Sequence, residues 1–185
     1  MSPKAELVEI LRLAEEARAT AGATLEGMTP EQLSWSPSRD RWSAALIADH
    51  LERSNLGAIP KFEEALRAAP AAAGDSHPEY NWLERTMIRT LSPGSKVRVP
   101  VPPLFEPKPP ADARAAVAGF LAAHEGLVAV ANAAAGKDLR GQRITSPANR
   151  LVRLRFLPYL KALVQHERYH LEQVKALIEE PGFPR

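Results

Sequence analysis

The chain has 185 residues, 45% apolar and 25% charged, the balance of one globular domain spanning residues 1–185 with a sizeable core. A formal net charge of +2 is too small to imply nucleic acid as a partner, although a pI near 9.0 leaves weak contacts with anions open. There is no cysteine, which excludes disulfides, thiolate ligands and a cysteine nucleophile, so any metal site must use histidine, carboxylate and water. No run approaches the length of a membrane span, and residues 1–18 alternate charge with apolar groups instead of forming the apolar core of a signal peptide. The expected location is the cytoplasm, with no membrane partner.

Ser2-Pro3 opens a first helix with apolar face Leu7, Ile10, Leu11, Ala14, Ala17, Ala21 and Leu25, while Glu6, Glu9, Arg12, Glu15, Glu16 and Arg18 sit largely elsewhere. It should fade near Gly27. Thr29-Pro30-Glu31-Gln32 fits a capping box and starts a short helical turn. Ser43 is positioned to cap a second long helix with stripe Ile47, His50, Leu51, Ser54, Ala58, Phe62, Ala65 and Leu66, which Pro60 should kink or end early. A loop over 70–78 leads to a weaker helical segment over 79–91. Residues 92–110 carry seven prolines, a density at which neither helix nor central strand survives. That stretch reads as an extended crossover with Val97, Val99, Val101, Leu104 and Phe105 pressed on the helices; the three valines are the only strand-like piece.

A third long helix follows Pro110, with face Ala113, Ala116, Val117, Phe120, Leu121, His124, Leu127, Val128 and Ala131, and Gly136 is placed to terminate it. A basic loop with Lys137, Arg140, Arg143, Arg150, Arg153 and Arg155 against Asp138 comes next, read as a solvated surface with some attraction for an anionic substrate. The last helix starts at Leu157-Pro158 and stops at Pro181-Gly182. Four long amphipathic helices with hardly any strand signal make an all-α four-helix bundle the economical fold.

Within the last helix, His166 and His170 are four residues apart on the apolar stripe, so their imidazoles can converge on one small object. His50 lies on the inward face of the second helix. If the two helices are neighbours, the three imidazoles form three corners of a metal site with an open fourth. The competing reading is of helix histidines that hydrogen-bond locally. His124, also on an inward stripe, reads better as a core histidine than as a further ligand or proton shuttle; His77 reads as exposed, and Trp35, Trp42 and Trp82 as core or rim packing.

Trp42-Ser43, His50-Leu51, the Pro-rich stretch around Leu104-Phe105-Glu106-Pro107, and His166-Glu167 with His170 appear in an order that resembles the DinB-like, or YfiT-like, family of metal-dependent bundle proteins. The resemblance spans nearly the whole chain. It implies an up-down-down-up four-helix bundle, often a homodimer, holding zinc or nickel on His50, His166 and His170. It also implies a small-molecule substrate: some relatives transfer low-molecular-weight thiols and others are described as hydrolases. The alternative is a non-catalytic metal- or ligand-binding bundle. A third reading comes from His166-Glu167-Arg168-Tyr169-His170, which also spells the H-E-x-x-H of zinc proteases, with Glu167 as general base. The short remaining chain and the absence of a predicted sheet edge weigh against it. Glu167 could otherwise touch a metal-bound water, orient a histidine, or be a solvated residue paired with Arg168 or Lys161.

Overall fold

The computed structural model describes residues 2–72, 74 and 79–185, so His77 and its neighbours in the 70–78 loop lie outside the described residues. Helix α1 (Pro3–Ala21) is capped by the Ser2 side chain and runs into one π-helical turn (Gly22–Glu26). The capping box before α2 (Pro30–Ser34) forms as the sequence predicts: Thr29 Oγ1 accepts the Gln32 N–H at 3.2 Å, and Gln32 Oε1 accepts the Thr29 N–H at 2.8 Å. Helix α3 (Ala44–Ala68) is capped by Ser43, and α4 (Trp82–Thr90) by Asn81 in a second capping box with Glu84. Helix α5 (Ala113–Ala133) starts from Asp112, with Gly136 beyond its end in the left-handed region at φ 72°. Strands β1 (Arg143–Thr145) and β2 (Arg153–Arg155) precede α6 (Phe156–Ile178).

The protein is mostly helical. The helix α1 packs on α5 and α6, and α3 packs on the same two. One apolar cluster joins Leu7 and Ile10 of α1, Phe62 and Leu66 of α3, Leu127 and Val130 of α5, and Leu160 and Val164 of α6. A second joins Ala17 and Ala21 of α1, Ile47 and Leu51 of α3, Val117 and Phe120 of α5, and Leu171 and Val174 of α6. Between them in sequence, on α3, α5 and α6, lie buried polar residues: Ser54 and Asn55, His124, and Glu167 and His170. The Ile59 side chain of α3 sits directly on Gly126 of α5, where a Cβ would stand 2.7 Å from Ile59 Cδ1.

Four features differ from the sequence expectation. Pro60 neither ends nor interrupts α3; it is exposed, as is Leu56 one turn earlier, so the carbonyl its ring deprives of a donor lies on the solvent side. Val97, Val99 and Val101 form no strand, and Val97 and Val99 are more than half-exposed instead of pressed on the helices. The basic stretch instead contains an antiparallel hairpin, with Ile144 opposite Leu154 and both buried. Helix α5 is, by length and composition, long and apolar enough to cross a membrane, contrary to the expectation that no run reaches that length. Here it is a core helix, with Val117, Phe120, Leu127 and Val130 buried.

Two acidic residues, Glu6, which periodicity places away from the apolar face of α1, and Glu84 of α4, are buried. Glu6 of α1 is 1% exposed and interacts with Arg155. Glu84 of α4, fully buried, accepts the Arg155 backbone N–H at 3.2 Å and its Nε–H at 2.8 Å. Arg155 Nη2 also donates to the Glu79 carbonyl at 2.7 Å. This bidentate pair pins α4 to the residue that leads into α6. Removing one partner of a buried pair strands the other charge, a loss of roughly 3 to 5 kcal/mol. Arg155→Ala is therefore expected to lower unfolding stability by about that much in urea titration. A change below about 1 kcal/mol would place the pair among weak surface contacts.

Candidate metal centre

His50 stands on α3 because Ser43 starts that helix two turns earlier, in the phase that turns Ile47, His50 and Leu51 inward. His166 and His170 share one face of α6 through their four-residue spacing. Packing of α3 on α6 brings the three together, and one nitrogen from each lies within 4.8 Å of the other two. His166 Nε2 is 3.2 Å from His50 Nε2 and 3.0 Å from His170 Nε2. The ring planes are close to mutually perpendicular, at 80° for His50 and His166, 79° for His166 and His170, and 70° for His50 and His170.

The far nitrogens decide what these near nitrogens can be. His50 Nδ1 is 2.7 Å from the Phe105 carbonyl, which can only accept, so Nδ1 carries the proton. His170 Nδ1 is 2.8 Å from Gln173 Oε1, so it too donates. In the neutral ring this leaves the Nε2 of both as bare lone pairs aimed at His166. One proton on His166 Nε2 can serve only one of them, and the remaining lone pair faces a nitrogen with nothing to share. A cation among the three resolves this. At Zn–N lengths of roughly 2.0 to 2.1 Å, ligand nitrogens on one ion sit about 2.8 to 3.4 Å apart, which brackets the two short separations. The donor set fits a late first-row divalent metal, and the three histidines could hold such an ion.

Electrostatics keep the rings in ligand form. Burial lowers the pKa of His50 against the opposing pull of the Phe105 carbonyl and Asp49. Burial, then the neighbouring His170 and His50, puts His166 well below the ordinary histidine value. Burial, then His50, pushes His170 down to about 3. A site of neutral imidazoles binds metal without first releasing protons.

Trp42, expected only to pack, is part of the centre. Its ring is stacked on His170 at 5.9 Å between centroids and tilted against His50 at 5.0 Å. Trp35 packs edge-on against Phe183, and Trp82 is 73% exposed. A cleft of about 430 Å³ opens beside His166 and His170, walled by Arg41 and Trp42, by Val97, Arg98 and Val99, and by Tyr169 and Gln173. The basic stretch, read as a solvated surface with some attraction for an anion, is elsewhere: Lys137, Arg140 and Arg155 line a separate cavity of about 630 Å³ beside Leu7 and Leu157. The guanidinium groups at the cleft are those of Arg41, which is paired with Glu180, and Arg98.

Glu167 is not the solvated residue that pairing with Arg168 or Lys161 would make it. It is fully buried, with Oε1 accepting from Asn55 Nδ2 at 2.7 Å and Oε2 2.8 Å from His124 Nδ1. Arg168 pairs with Glu16 instead. His124 thus stands apart from the three-histidine cluster and holds Glu167 from α5. Burial opposes its charge, but the hydrogen bond and charge of Glu167 outweigh that and raise its pKa. Asn55 and Asp49 carried no signal in the sequence beyond lying on the α3 stripe or next to His50.

The signs of these shifts set a pH dependence. His50, His166 and His170 bind protons less readily folded than unfolded, so their contribution is complete above about pH 6.5 and is lost as pH falls. His124 has the opposite sign: its contribution is present below about pH 6.5 and is lost as pH rises through its raised folded value. Three groups outweigh one. Metal-free protein should lose stability from pH 7.5 to pH 5, at up to about 1.4 kcal/mol per pH unit for each neutral imidazole. His170→Gln should flatten that slope in urea unfolding at several pH values. An unchanged slope would show that His170 is not held neutral.

No curated protein and no solved structure matches the chain. A family model described as the DinB superfamily matches residues 13–174, a span that includes His50, His124, His166, Glu167 and His170. With the match covering most of its length, the chain belongs to the DinB superfamily.

Proposed function

We propose that the protein is a metal-dependent enzyme of thiol S-transferase or hydrolase type, with zinc or nickel held by His50, His166 and His170. The observation that carries this reading is that the Nε2 atoms of His50, on α3, and His170, on α6, stand 3.2 and 3.0 Å from His166 Nε2. His50, His166 and His170 would hold a divalent ion, which would supply Lewis acidity to a water or an external thiol.

The chain's own residues have separable parts in this reading. Phe105 and Gln173 hold the tautomers of His50 and His170. Trp42 covers two of the rings and keeps water off that side. The cleft is the substrate's approach, with Tyr169 and Gln173 on one wall and Arg98 facing any anionic group across it. Glu167 is assigned a positioning role, not that of general base, because both its oxygens are engaged inside the core. The same fact counts against the H-E-x-x-H protease reading, as does a sheet limited, among the described residues, to two three-residue strands. A protein without cysteine is suited to a thiol supplied from outside.

The proposed architecture is a single up-down-down-up four-helix bundle. Its support is that each apolar cluster takes one end of α1 and α6 with the opposite end of α3 and α5. A second functional reading is a non-catalytic bundle in which a metal ties α3 to α6, and its support is that the three histidines come from both helices.

Tag-free protein should retain about one metal per chain by elemental analysis, and His50→Ala should abolish that retention. Unchanged metal content in the variant would remove His50 from the site. The metal-replete protein, offered a panel of small thiols with electrophilic partners and a panel of ester and amide substrates, should turn over one class. Turnover lost with His50→Ala supports the enzyme; metal bound with no turnover on either panel supports the structural alternative.

A further inference from the structure

We infer that Asp49 is a positioning residue for the metal centre: it clamps the Pro-rich crossover so that the Phe105 carbonyl stays on the His50 ring. The inference rests on the metal reading above and concerns what sets the affinity of that site.

The crossover has few ways to hold itself in place. Lys108 is flanked by Pro107 and Pro109, neither of which has an N–H to donate, so its own N–H is the available backbone donor in that run. It donates to Asp49 Oδ2 at 2.9 Å. Three residues earlier, the carbonyl of Phe105 accepts from His50 Nδ1 at 2.7 Å. The two anchors therefore fall on consecutive residues of α3, and the crossover cannot slide along the helix without breaking one. The carboxylate of Asp49 is itself fixed: Arg53 Nε and Nη2 donate to Oδ2 and Oδ1 at 2.5 and 3.1 Å.

Gly57 completes the seat. A Cβ there would stand 3.0 Å from Cε1 of the Phe105 ring and 3.5 Å from Cγ of Pro147, so the ring lies directly against the α3 backbone two turns beyond His50. The 3₁₀ turn Pro103–Phe105 presents that ring and its carbonyl together. Asp49 below and Gly57 above thus hold a segment whose single polar contact with the centre fixes which nitrogen of His50 is bare. A partner of this kind, hydrogen-bonded to the far side of a ligand histidine, commonly changes metal affinity about 10- to 100-fold when lost.

The test is a competitive chelator titration with Zn²⁺ on tag-free, full-length protein, with thermal unfolding of the metal-free protein in parallel. Asp49→Ala should weaken zinc binding about 10-fold or more. Asp49→Asn keeps an acceptor for the Lys108 N–H and should recover most of the affinity. Gly57→Ala, which displaces Phe105 without touching a polar group, should weaken binding in the same direction, and carries the test alone if Asp49→Ala does not fold. Wild-type affinity in both Asp49→Ala and Gly57→Ala overturns the inference while leaving the metal reading intact. So does an Asp49→Asn as weak as Asp49→Ala, since the clamp would then not act through its hydrogen bond. Failure of wild-type protein to bind zinc or nickel is a different result and falls on the metal reading itself.

Discussion

Two imidazoles whose protons are committed on their outer sides, and whose bare nitrogens meet a third ring, impose the condition that the rest of the structure serves. Neutral lone pairs at about 3 Å repel, and a buried polar group without a partner costs about 1 to 3 kcal/mol. A helical protein optimised only for packing would place leucine at these positions. The two apolar clusters on either side, with Phe62 and Phe156 in one and Phe120 in the other, supply the burial that offsets a polar layer between them. What the layer contributes is a set of donors at fixed separation, held by helices that cannot shift without unpacking both clusters.

The crossover follows from the same condition. A short turn after α3 would deliver α5 antiparallel to it, with no chain passing over His50. The Pro-rich connection returns along α3 instead, and its prolines lower the entropic cost of holding an extended path without a sheet to pair it. Their missing N–H groups also leave the segment few backbone donors to satisfy, so one carboxylate and one imidazole suffice as anchors. Earlier in the same connection Val97, Arg98 and Val99 line the cleft, so one stretch both holds the His50 ring and walls the cleft beside His166 and His170.

Helix existence and phase were legible because they depend on local rules. Ser2, Thr29 and Ser43 cap where their side chains can reach the next turn, and the stripes around His50, His124, His166 and His170 point inward as their periodicity requires. What could not be read depends on partners distant in sequence. Ile144 and Leu154 sit in three-residue strands flanked by arginines, too short for alternation to register. Glu6 follows the rule for a solvent face and is buried because Arg155 reaches it, as it reaches Glu84 of α4. The tolerance for Pro60 depends on which way one carbonyl of α3 points, a matter of helix azimuth in the assembled fold.

Glu167 shows why a motif must be read on its helix. Successive α-helical residues are about 100° apart, so the residue after His166 cannot share the direction of a pair four apart. In α6 that direction leads into the core, where Asn55 of α3 and His124 of α5 take one carboxylate oxygen each. Two bonds to two different helices fix the rotation of α6 about its own axis. That rotation decides whether His166 and His170 meet His50 or miss it. The glutamate of this H-E-x-x-H is therefore a core contact of α6, tied to α3 through Asn55 and to α5 through His124, while the two histidines beside it face His50.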